Sequence, residues 1–153
     1  MSRFSRTVQL LAVLVGVFAL MAPPASAATG DDFFVVDTQF KQAPSTIIDS
    51  GGAFAGCTTV TDLGGTAEQI GPNQLLFTGD KRVNCPGGKV TLHYEAELNA
   101  ASGKRTRGTW TITSSTLEGA TSGGGTVRGD STDCTIEPGS EGCIIDTFAG
   151  TTT

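Results

Sequence analysis

The sequence predicts an all-β domain, a sandwich or a barrel, and three observations carry that prediction. Beyond residue 27, apolar and polar residues alternate in short runs, and glycine, 21 residues of the chain, separates one run from the next. Threonine and serine are abundant, and no stretch places apolar residues at the spacing of an amphipathic helix. Short strands bounded by glycine-rich turns are the pattern from which sandwiches and barrels are built.

The first segment stands apart from that domain. Arg3 and Arg6 precede an uncharged run from Thr7 to Met21, followed by Pro23, Pro24 and the small residues Ala25, Ser26 and Ala27. This order is that of a secretory signal peptide cleaved after Ala27, its apolar run being shorter than the ~20 residues that span a bilayer. The expected organisation is a leader over residues 1–27 and one domain over 28–153, exported and soluble, with no membrane association once the leader is removed. Cleavage takes away two arginines and no acid, so the balance of 10 basic and 15 acidic residues becomes 8 and 15, about −7. Nucleic acids and anionic membranes are recognised by clustered Lys and Arg, so neither is an expected partner.

The clearest strand is Lys89 to Leu98. Val90, Leu92, Tyr94, Ala96 and Leu98 alternate with Lys89, Thr91, His93, Glu95 and Glu97. After the turn-forming stretch Asn99 to Gly103, a second strand runs from Lys104 to about Thr113. Trp110 and Ile112 take its apolar face, and Arg105, Arg107, Thr109 and Thr111 the polar one. The two should form a hairpin whose opposed residues share a face. Placing Leu92 opposite Trp110, Val90 opposite Ile112, Glu95 opposite Arg107 and Glu97 opposite Arg105 satisfies both faces. A shift by two residues keeps the faces but sets Glu95 against Thr109. The charge pairs, at roughly 0.2–1 kcal/mol each, favour the first register. Further strands are expected over Phe33 to Phe40, Phe54 to Asp62, Gln74 to Val83, Gly125 to Ser131 and Ile144 to Thr151. Ser114 to Gly124 reads as an irregular connection with one helical turn around Thr116 to Ala120.

Cys57, Cys85, Cys134 and Cys143 all lie in the exported part and allow three pairings. The midpoint of Cys57 and Cys85 falls on Gly71-Pro72, and that of Cys134 and Cys143 on Pro138-Gly139, both turn-forming dipeptides. Each pair is therefore placed symmetrically about a turn, which assigns Cys57 to Cys85 and Cys134 to Cys143. A metal site is not expected, because no C-x-x-C spacing occurs and His93 is the single histidine. The phrase Asp31 to Asp37 lacks the glycine and terminal glutamate of a calcium loop.

The stretch Gly108 to Thr116, followed by Leu117 to Ala120 and Gly123 to Thr126, resembles the pattern of allene oxide cyclase-like and dirigent-like β-barrels. Those proteins carry a G-x-W/F-x-I strand, a G-T-G segment, a glycine-rich turn and the next strand. Here Ser115-Thr116-Leu117 stands in the place of G-T-G, and Asp146 to Gly150 looks like their closing strand. The resemblance covers roughly Lys89 to Gly150. It implies a small antiparallel, eight-stranded β-barrel, as in small exported bacterial members of that superfamily, and no particular reaction.

No convergent catalytic set is visible. His93 shares a strand face with Glu95 and Glu97 and, across the hairpin, with Arg105 and Arg107, and these five would line a polar lumen if that face turned inward, with His93, Glu95 and Arg107 as the candidates for chemistry. Asp31, Asp32, Asp37, Glu68 and Asp146 supply carboxylates, but nothing in the sequence sets their separation. Gly123-Gly124-Gly125 has neither the lysine nor the spacing of a phosphate loop. Phe54, Phe77, Tyr94, Trp110 and Phe148 fall in the expected strands, and of these Phe77, Tyr94 and Trp110 are candidates for contact with a ligand, since a small barrel either fills its interior or leaves room for one molecule. The expected function is non-catalytic binding of an apolar small molecule or an envelope component, without a cofactor. A cyclase-type enzyme acting inside the barrel, or a structural interaction protein of the envelope, are the alternatives.

Overall fold

The computed structural model describes residues 31–153. The leader expected over residues 1–27 lies outside the described residues. Eight strands close into an antiparallel barrel in which each pairs with its neighbours in sequence. They are β1 (Asp32–Gln39), β2 (Ser45–Gly51), β3 (Thr59–Gly71), β4 (Gln74–Cys85), β5 (Gly88–Asn99), β6 (Lys104–Ser115), β7 (Gly123–Asp130) and β8 (Cys143–Thr152). Pairing of β1 with β8, from Asp32 opposite Gly150 to Gln39 opposite Cys143, closes the ring. No helix among the described residues is long and apolar enough to cross a membrane.

Both expected disulfides are present, Cys57 to Cys85 and Cys134 to Cys143. The first staples the long β3–β4 hairpin, whose turn lies at Pro72 and Asn73. The second anchors the connection between β7 and β8. Disulfides of this kind form and persist in oxidising compartments.

Alternation decides what points inward. Phe34 and Val36 of β1, Val83 of β4, Val90, Leu92 and Ala96 of β5, Trp110 of β6, Val127 of β7 and Phe148 of β8 are buried in one cluster. Tyr94 and Ile112 pack against its margin. The core lies towards the end where β1 begins. Phe54 closes that end from a 3-10 turn (Gly52–Phe54), its ring edge-on to Phe34 at 5.1 Å and to Trp110 at 6.0 Å, while Phe34 stacks on Phe148 at 4.7 Å. Asp32 holds the turn in place by accepting hydrogen bonds from the Ala53 N–H and from the N–H and hydroxyl of Thr152, each 2.8 Å long. Burial pushes its carboxyl up, but these donors outweigh burial and lower it overall.

Four expectations are corrected. Phe54 is not in a strand: Gly52 and Gly56, at φ 61° and 79°, bend the chain around it, and β3 starts only at Thr59 and runs on to Gly71. The strand β2 has no strand signal in the sequence: Ser-Thr-Ile-Ile-Asp-Ser-Gly carries no alternation and is held by pairing with β1. Thr116 to Ala120 forms no helical turn; a single hydrogen bond from the Ala120 N–H to the Leu117 carbonyl closes a tight bend with Gly119 at φ 78°. The hairpin of β5 and β6 takes the other register: Tyr94 faces Trp110, Leu92 faces Ile112, Glu95 faces Thr109 and Glu97 faces Arg107. This register seats Tyr94 edge-on to Phe148 at 6.2 Å and Trp110 edge-on to Phe54 at 6.0 Å, packing that outweighs charge pairs worth tenths of a kcal/mol.

The same hairpin shifts register between Glu97 and Leu98, so that Leu98 faces Arg105. An extra residue in one strand of a pair turns the following side chains to the opposite face. Arg105, expected on the wet face with Arg107, is therefore inside the barrel.

Candidate functional site

The two ends of the barrel differ. At the end where β1 finishes, the lumen is not filled but forms an open cup of about 330 Å³. Phe77 of β4 and Tyr94 of β5 form its aromatic wall, Gly65 and Ala67 of β3 line one side, and Phe40 stands at the rim. Its floor carries charge: Lys81, Arg105 and Asp146, with Asp62 beside them.

Each floor residue arrives by a different local route. Lys81 occupies an inward position of β4, two residues before Val83, and Asp146 an inward position of β8, between Ile144 and Phe148. Arg105 is brought in by the bulge. Gly129, opposite Arg105 on β7, leaves the space these groups need: a Cβ there would collide with Asp146 Oδ1 and lie 3.2 Å from Arg105 Cδ.

All three are deeply buried, at 3% exposure for Lys81, 8% for Arg105 and 1% for Asp146. Lys81 donates to the half-exposed Asp62, directly opposite on β3, and its ammonium lies 5.1 Å from the centre of the Tyr94 ring. The Arg105 guanidinium lies 4.9 Å from the centre of Phe77. Its Nε is 3.0 Å from Asp146 Oδ1, yet the N–H is not well aligned on that oxygen, so the contact is an ion pair without a completed hydrogen bond. Nη1 has no hydrogen-bond partner either. Burial raises the Asp146 carboxyl, against the pull of Arg105 and Lys81 and with a small push from Asp62. Two buried cations and one buried carboxylate, with the half-exposed Asp62 at their edge, thus share a floor whose hydrogen-bonding capacity is only partly used.

Of the residues singled out in the sequence, Phe77 and Tyr94 line the cup. Trp110 does not: it is buried in the packed half, its indole N–H donating to the Ala149 carbonyl at 3.3 Å. His93, Glu95, Glu97 and Arg107 are on the outer wall, so of the five residues of the conditional polar lumen only Arg105 is inside. His93 meets Asp80 there at 2.8 Å. Asp146 was one carboxylate among several in the sequence, and Lys81 and Asp62 were passed over. A readable signal existed for two of these four: a charge at an inward position of an apolar face, Lys81 between Phe77 and Val83 and Asp146 between Ile144 and Phe148. Arg105 gave none.

A larger, shallow groove of about 530 Å³ crosses the outer wall over β6, β7 and β8. Two of its charges are spent on one another: Lys104 pairs with Asp130 at 2.9 Å, and the Thr132 hydroxyl together with Lys104 lowers the Asp130 carboxyl to about 2. The cup is the better candidate, since its polar groups are buried and under-used.

Comparison of the chain with protein-family models, with curated proteins and with solved structures finds no match.

Proposed function

We propose that this chain is exported, loses residues 1–27, and acts as a non-catalytic binding barrel that holds a small molecule with an apolar body in its open end. One observation carries the reading: half of the lumen is packed solid, while the other half is a cup of about 330 Å³ walled by Phe77 and Tyr94. That volume lies at the lower bound of small-molecule sites, and the mix of aromatic wall and few polar groups is theirs. The leader pattern, the two disulfides and the resemblance to dirigent-like barrels support an extracytoplasmic role.

Ligand-observed NMR of the oxidised protein against a panel of small apolar compounds tests it. Binders should perturb Tyr94 and Phe77, and Phe77→Trp, which fills the cup, should abolish binding without unfolding the barrel. Binding that survives Phe77→Trp, or none from the panel, overturns the reading. Sequencing the exported protein should find Ala28 first.

One observation favours a second reading, a cyclase-type enzyme acting on an apolar substrate. Asp146 is a single buried carboxyl raised by burial and set in the cup floor, as confinement with one polar group requires. Turnover of a bound compound that is lost in Asp146→Asn would replace the first reading by this one.

A further inference from the structure

We propose that the ligand of the cup is a small monocarboxylate with a flat apolar body, its carboxylate seated on Arg105 and Lys81 and its body against Phe77 and Tyr94. The inference rests on the reading of the cup as a ligand site and adds the chemical class.

Burying a cation is costly unless hydrogen bonds and an opposite charge compensate it. Here the protein's own compensation is incomplete. Arg105 is buried with Nε and Nη1 lacking hydrogen-bond partners, and its counter-ion, Asp146, makes contact off the N–H direction. Lys81 has three donors and one hydrogen bond from its ammonium, to Asp62. The carboxylates are placed differently. Asp62 is already engaged by Lys81 at the half-exposed rim, and Asp146 is enclosed at 1% exposure. Asp146 Oδ1 lacks a hydrogen-bond partner as well, but it lies 3.0 Å from Arg105 Nε and the two offset one another, so what is left over, Arg105 Nη1 and two hydrogens of the Lys81 ammonium, is donor capacity that an acceptor with negative charge would complete.

Arg105 is also held for that task. Its guanidinium rests on the Phe77 ring and Lys81 on the Tyr94 ring. A planar fork restrained by a cation–π contact matches a carboxylate better than a freely rotating one, because less side-chain entropy is lost on binding. The rings that fix the cations form the wall above them, so a molecule with its acid at the floor must present an apolar body to Phe77 and Tyr94. A volume of about 330 Å³ admits a single-ring acid and excludes a polymer chain from the floor.

Benzoate, benzenesulfonate, benzamide and benzylamine, titrated into the oxidised protein near neutral pH, separate the possibilities. The two anions should bind, with benzamide at least about tenfold weaker and benzylamine weaker still. Arg105→Gln should reduce the affinity for benzoate by at least about tenfold and that for benzamide by clearly less, since only the carboxylate loses a charge-assisted contact. If Arg105→Gln does not fold, Lys81→Gln offers the same comparison, and the wild-type ranking of the four probes decides without any variant. Equal binding of benzoate and benzamide, or preference for benzylamine, overturns the carboxylate assignment but leaves the cup as a ligand site. Failure of all four to perturb Tyr94 or Phe77 overturns both.

Discussion

The barrel's two halves are built from the same alternation but hold different things. Around Phe34, Phe54, Trp110 and Phe148, every inward position is apolar and rings interlock at 4.7 to 6.0 Å. Around Lys81, Arg105 and Asp146, inward positions carry charge and the space above them stays open. Stability should therefore reside in the first half, and the second is free to give up packing for recognition. That division is common in small barrels that bind, because a cavity lined by unsatisfied polar groups costs free energy that a tight core must offset.

Removing the largest side chain of the packed half should break the fold most. Trp110→Ala is expected to cost ~3–5 kcal/mol, a large fraction of the ~5–15 kcal/mol that holds a typical domain. Phe77→Ala, in the cup wall and only partly buried, should cost less than half as much in the same urea melts. Equal losses would mean that the open half carries as much of the stability as the packed one.

The disulfides sharpen the comparison, since each ties one end. Cys57 to Cys85 spans 28 residues and Cys134 to Cys143 spans 9. If restriction of the unfolded chain dominates, replacing the first pair by alanine should cost ~2–4 kcal/mol, and roughly 1 kcal/mol more than replacing the second. A reversed order in denaturant midpoints would place the main constraint at the open end.

Acidity should act on the two halves with opposite signs. Asp146 has a raised carboxyl, so the folded state holds that proton more tightly than the unfolded chain. Its contribution to stability falls as pH rises from the ordinary aspartate value of 3.8 through the folded value, and returns as pH falls back. Asp32, at the packed end, is lowered; its contribution is present above 3.8 and is lost as pH drops through the folded value. Above the ordinary aspartate range, Asp146→Asn should therefore flatten the pH dependence of the urea midpoint. Parallel profiles for wild type and variant would show that Asp146 is ionised without penalty.

The smallest effect is expected outside the barrel. Glu95 is exposed and faces Thr109, so Glu95→Ala should change stability by under about 1 kcal/mol. A loss approaching that of Trp110→Ala would contradict the placement of this face.

Much of this molecule can be read from residues close together in the chain. Alternation from Val90 to Leu98 assigned the inward face of β5, and symmetry about Gly71-Pro72 and Pro138-Gly139 paired the cysteines, because period-two geometry and turn chemistry are local properties. Lys81 and Asp146 were legible in principle as charges on apolar faces. What the tertiary structure alone decided lies at irregularities: the bulge that turns Arg105 inward, the strand β2 held by its neighbours, and the β2–β3 seam, where only Ser45 and Thr46 pair, with Val60 and Thr59. A closed barrel must stagger its strands and absorb the mismatch somewhere, and the place is chosen by packing across the whole ring. Such shifts occur in both halves, at Val35–Val36 and Thr91–Leu92 as well as at Glu97–Leu98, and the cup lies where the last of them turns Arg105 inward; no window of the sequence contains the strands that share it.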